Sequence, residues 1–98
     1  MTTIDHRLAA KDKILGLITV LEAAPGAAFG PLLDECRSLA RAIEAFHMEG
    51  IRFRMFNVDR WMSRTDVTVP EQARPLFVQA RESLEAAGFH TRSHQAPS

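Results

Sequence analysis

Few side chains in this sequence stand at spacings that support chemistry. Glu44 and His47 form one E-x-x-H pair, the spacing at which a helix offers a carboxylate and an imidazole to a single metal ion. A di-iron site needs two such pairs and further inward-facing glutamates, whereas Glu44 projects about 110° away from the apolar stripe of its own segment. A solvated glutamate beside a boundary histidine is the expectation. His90 and His94 are four apart, a useful spacing only on a helix, and they follow Gly88, which marks a helix end. The single cysteine, Cys36, lies on an apolar stripe and reads as a small buried hydrophobe. One thiol also excludes an internal disulfide. No phosphate loop, G-x-S-x-G elbow or H-E-x-x-H helix occurs. The loop 26–30 has the glycines of an anion site, but Asp34 and Glu35 follow where they would repel the anion. The expectation is therefore no metal, no cofactor and no enzymatic activity.

One stretch is chemically distinctive for another reason. Residues 46–64, FHMEGIRFRMFNVDRWMSR, hold three of the four methionines, three of the six phenylalanines, the only tryptophan and four of the ten arginines. Trp, Phe, Met and Arg are the types enriched at protein interfaces and their hot spots. Charge is uneven as well. Residues 51–65 carry Arg52, Arg54, Arg60 and Arg64 against Asp59, a balance of +3. Residues 31–50 carry Asp34, Glu35, Glu44 and Glu49 against Arg37 and Arg41, a balance of −2. Antiparallel self-pairing would let these halves meet across a two-fold. Met48, Arg52, Phe53, Arg54, Phe56, Arg60, Trp61 and Arg64 are the candidate partner-binding residues. The alternative is that a small domain placed its large side chains in one core element.

Three periodic segments must position these residues. The first, 4–24, carries Asp5, Ala9, Asp12, Gly16, Thr19 and Ala23 on one polar or small line. Ile4, Leu8, Ile14, Leu15, Leu17, Ile18 and Leu21 spread over much of the other side, with Arg7 and Lys11 at the seam. The second opens at Pro31, and Leu32, Cys36, Leu39, Ile43, Phe46, Gly50 and Phe53 follow heptad spacing. That helix runs on toward Arg64, but after Gly50 the stripe passes to Ile51, Met55, Val58 and Met62, about a quarter-turn round. Gly50 is read as a kink or a helix end. In the third segment, Thr68 and Glu71 have capping-box spacing, yet Pro75 would clash with the carbonyl of Glu71. The regular part is expected to begin near Arg74 or Pro75. Leu76, Phe77, Ala80, Leu84 and Ala87 mark its buried face, and Gly88 with Phe89 fits a Schellman ending.

The reading is an all-α, small three-helix bundle with a long central helix, as one domain over 1–89, followed by a flexible tail over 90–98. A rival arrangement is an α+β ferredoxin-like sandwich, β-α-β-β-α-β, with strands at 14–21, 51–55, 67–69 and 89–94. The fourteen alanines and the polar line of the first segment favour helices.

Composition bounds the function. Ninety-eight residues make one domain able to bury ~60–65% of its unfolded surface. Twelve basic and twelve acidic side chains cancel, which argues against a whole-protein grip on nucleic acid or an anionic membrane. The N-terminal stretch lacks a signal-type apolar run and no segment is apolar enough to span a bilayer, so a cytoplasmic location is expected. The leading expectation is association, as a homodimer or as an accessory subunit. A second is nucleic-acid binding, through Arg52, Arg54, Arg60 and Arg64 interleaved with aromatics. ESLEAAGFHTRSH resembles the helix-to-wing passage of winged-helix regulators, with no recognition helix before it. A third rests on ITVLEAAPGAAFGPLL and DRWMSR, which resemble antibiotic-biosynthesis monooxygenase-like domains over about a third of the chain. That resemblance implies a small α+β barrel enzyme, although the strand expected before the W-x-S element is missing.

Overall fold

The computed structural model describes residues 5–24, 29–64, 66 and 68–89. Four helices make the fold: α1 (His6–Ala23), α2 (Gly30–Glu44), α3 (Met48–Met62) and α4 (Ala73–Ala86), with no strand among the described residues. The all-α expectation is what the structure shows. The β-α-β-β-α-β alternative is overturned, because residues 14–21 lie inside α1 and 51–55 inside α3. With it goes the α+β barrel that the monooxygenase-like resemblance implied. The expected tail over 90–98 lies outside the described residues.

Asp5 starts α1 by accepting the Leu8 N–H at 3.1 Å, which satisfies one of the donors every helix N-terminus leaves open. Ala10, Ile14, Leu17 and Leu21, spaced four, three and four apart, are buried with Ile18. Leu8 and Leu15 are not: they stay 50% and 43% exposed, so the buried arc is narrower than the apolar residues alone suggest. In α2, Pro31 sits within the first turn, where its missing N–H leaves no bond unmade. Leu32, Cys36, Leu39 and Ile43 are completely buried, as the heptad spacing required.

The span read as one long central helix is two helices, and the break falls at residues 45–47 rather than at Gly50. Phe46 takes φ +58°, the left-handed conformation that side chains with a Cβ rarely adopt. Its N–H donates to the Ile43 carbonyl at 3.1 Å, and the His47 N–H donates to the Ala42 carbonyl at 3.0 Å. This is a Schellman ending with phenylalanine where glycine is usual. His47 then caps α3, its Nδ1 accepting the Gly50 N–H at 2.8 Å. Gly50 itself lies within the first turn of α3. A Cβ there would stand 2.7 Å from His47 Nδ1 and 3.3 Å from the Ala42 Cβ, so this glycine records close approach and not a bend.

Ile51, Met55, Val58 and Met62 form the buried face of α3. The displaced stripe beyond Gly50 was thus the core face of a separate helix. α4 starts at Ala73, with Gln72 before it and Thr68 uninvolved in capping. Pro75 therefore falls in the first turn, where the carbonyl of Glu71 lies ahead of the helix and no clash arises. Ala73, Phe77, Ala80 and Leu84 are buried, while Ala87 is exposed. The ending is as expected: Gly88 has φ +98°, its N–H reaches the Glu85 carbonyl at 3.0 Å, and the Phe89 N–H reaches Leu84 at 2.9 Å.

α1 packs against both α4 and α2, and α3 packs against α2. Arg74 ties α4 to the end of α3 by donating to the Met62 carbonyl at 2.6 Å, and Arg81 stands 3.5 Å from Asp59. One apolar cluster runs from Ala10 to Phe89 through all four helices. Each fully buried Leu or Ile in it contributes ~1.5–3 kcal/mol over an exposed one.

Candidate interaction face on α3

Once Ile51, Met55, Val58 and Met62 point inward, the 100° step between residues turns Arg52, Phe53, Phe56 and Arg60 outward. Phe53 is 47% exposed, and Phe56 is half-buried. The candidate residues do not all share this face. Met48, 52% exposed, lies about 140° round the helix from Phe53. Arg54 turns toward α2, where its Nη1 donates to Glu35 Oε1 at 3.0 Å beside the Asn57 amide at 3.1 Å. Trp61 is half-buried and leans on the core. Arg64 follows the helix and pairs with Asp66 at 2.6 Å, an exposed pair that lowers the Asp66 pKa and raises that of Arg64. Segment 46–64 is thus neither all core nor all surface.

Every aromatic ring of α3 carries a guanidinium. Arg54 lies 5.0 Å from the Phe53 centroid, Arg60 5.8 Å from Phe56 and Arg64 4.5 Å from Trp61. At these distances the ring faces attract the cations. Two of these pairs, Arg60 with Phe56 and Arg64 with Trp61, arise at separations of four and three residues, the spacing of neighbours on one helix face.

The charge asymmetry is expressed within the chain. Arg54 takes Glu35 across the α2–α3 contact, Glu49 lies 4.0 Å from Arg52, Arg37 lies 3.8 Å from Asp34, and Lys11 holds Glu44. The acidic groups expected to meet a second copy thus have partners in their own chain. Arg60 has no acidic partner among the described residues. These internal pairs also leave less positive charge for phosphate than the arginine count suggested.

The metal and thiol candidates have structural occupations. Glu44 ends α2 against Lys11, which holds its carboxyl below the usual range through a hydrogen bond and charge. His47 is committed to its cap. No group of three His, Cys, Asp or Glu suited to a metal occurs among the described residues, and His90 and His94 lie outside them. Burial, with Glu35 adding to it, pushes the Cys36 thiol up to about 12, which keeps it protonated and a poor nucleophile. No helix among the described residues is long and apolar enough to cross a membrane.

Two features had no clear sequence signal. At one end of the bundle, Arg7 donates to the carbonyls of Ile43 (2.7 Å) and Glu44 (3.2 Å) and lies 5.1 Å from the Phe46 centroid. Phe46 meets Phe89 with centroids 5.4 Å apart, yet remains 61% exposed. On another side, residues 68–70 separate two open apolar grooves, one against Val78 of α4 and one against Val20 and Phe29.

Fold and face together define a small all-α bundle with one arginine-backed aromatic helix surface. No family model, curated protein or solved structure matches the chain.

Proposed function

We propose that this protein works by association, without catalysis, through the outer face of α3, as a homodimer or as an accessory subunit. The observation that carries the reading is Phe53, 47% exposed beside half-buried Phe56 on a helix whose opposite side already fills its place in the core. Aromatic rings backed by arginine present wide, rigid contact area at small entropic cost, the character of interface hot spots. Arg52 and Arg60 flank the rings and would steer an acidic surface toward them.

Absolute mass by light scattering tests the reading on wild type, Phe53→Ala and Arg60→Glu. Phe53 is a cleaner probe than Trp61, whose ring leans on the core. The expected result is a wild type at twice 10.9 kDa or in a discrete cross-linked complex, and a shift to free monomer in both variants with helical circular dichroism retained. Wild type and variants alike in mass and in cross-linking would overturn it.

A further inference from the structure

We propose that α2 and α3 open at residues 45–47 into one continuous helix, and that two copies of the chain then dimerise by exchanging α3 with α4. Three observations converge. The break contains neither proline nor glycine: Ala45, Phe46 and His47 are all compatible with a helix interior. The fold nevertheless holds Phe46 at φ +58°, the one positive-φ residue other than glycine among those described. Opening would release that strain. Finally, heptad spacing runs unbroken through the break, from Leu32 through Ile43 to Phe46, Gly50 and Phe53. Phe46 and Phe53 are the two exposed phenylalanines of the folded chain, at 61% and 47%.

Continuity of the helix would bring Phe46, Gly50 and Phe53 within about 60° of one another on one stripe. Two such helices crossing antiparallel would meet along that stripe. The other contacts already exist. α2 packs on α3 and α1 packs on α4, so each can be remade between copies with the same residues. The closed form has its own supports: the His47 cap on Gly50, and Arg7, which satisfies the Ile43 and Glu44 carbonyls. In the continuous helix the N–H groups of His47 and Met48 would take those carbonyls. A short, strained hinge between two helical pairs is the setting in which exchange is least costly.

The inference shares with the proposed function only the possibility of a second copy as partner, and hinge variants separate the two. Phe46→Gly relaxes the closed turn and places glycine inside the open helix, so it should weaken dimerisation by at least about tenfold. Gly50→Ala introduces the 2.7 Å and 3.3 Å contacts into the closed form while favouring the open helix, so it should strengthen dimerisation. Arg60→Glu, far from the hinge, should leave the exchanged dimer intact. The experiment is light scattering of the full chain over a wide concentration range, with exchange between isotopically labelled and unlabelled copies. Opposite shifts in the two hinge variants, with subunit exchange as slow as unfolding, are the expected result. Monomers at every concentration in wild type and Gly50→Ala would overturn the inference. So would a dimer indifferent to Phe46→Gly and lost in Arg60→Glu, an outcome that sustains the surface association instead.

Discussion

Gly88 and Phe46 close their helices with the same pair of backbone hydrogen bonds, but their side chains make the two turns differ in cost. At Gly88 a Cβ would meet nothing within 4 Å, so Gly88→Ala isolates backbone strain from any clash. It should lower stability by about 1–2 kcal/mol in urea titration, and no change would mean that φ +98° is not needed there. Cys36 makes a second local prediction. Its folded pKa is raised to about 12 from 9.0, so between those values the unfolded chain releases a proton that the folded chain keeps. Stability from this group is fully present below pH 9 and is lost as pH rises toward 12, at up to about 1.4 kcal/mol per pH unit. Cys36→Ala should flatten that alkaline slope in denaturation profiles. An unchanged slope would mean that the thiol ionises equally in both states.

Helix by helix, the bundle depends on where neighbouring helices come close. Gly16 lies in α1 opposite Leu76 of α4, and a Cβ there would rest 3.7 Å and 3.8 Å from the two Leu76 methyls, an ordinary contact. Gly16→Ala should therefore stabilise the fold by about 0.5–1 kcal/mol through helix propensity, read as a raised melting temperature. A loss would show that α1 and α4 are nearer than this. Gly50 is the opposite case, since α2 and the His47 cap leave no room for a Cβ. The face of α3 follows from the same packing. Its core side is fixed by Ile51, Met55, Val58 and Met62, so Phe53 and Phe56 face outward without any special device.

Across the molecule, the internal ion pairs alter the case for self-association. Glu35 and Glu44, available on paper to a second copy, are held by Arg54 and Lys11. Simple charge matching across a two-fold is thereby weakened. The two proposals that do not rest on charge matching are association through the aromatic and arginine surface of α3 and exchange of whole helices at the strained turn. These predict different mutational patterns, centred on Arg60 in one case and on Phe46 and Gly50 in the other.

Much of this was legible in the chain itself. Periodicity placed the core face of α2, part of that of α1 (Ile14, Leu17, Ile18 and Leu21, but not exposed Leu8 and Leu15), the Gly88–Phe89 ending and the crowding of arginine and aromatic residues in 46–64, because helix spacing and capping act over three or four residues. The turn at 45–47 was not legible. Nothing in Ala45-Phe46-His47 breaks a helix, and the heptad passes straight through it. Only tertiary structure decided it: folding back on α2 buries the apolar stripe of 51–62 within the same chain, and Arg7 of α1 donates to the Ile43 and Glu44 carbonyls at the broken end. That choice also divided segment 46–64 into a core side and an open one, for burial of a helix face depends on which distant residues arrive to cover it.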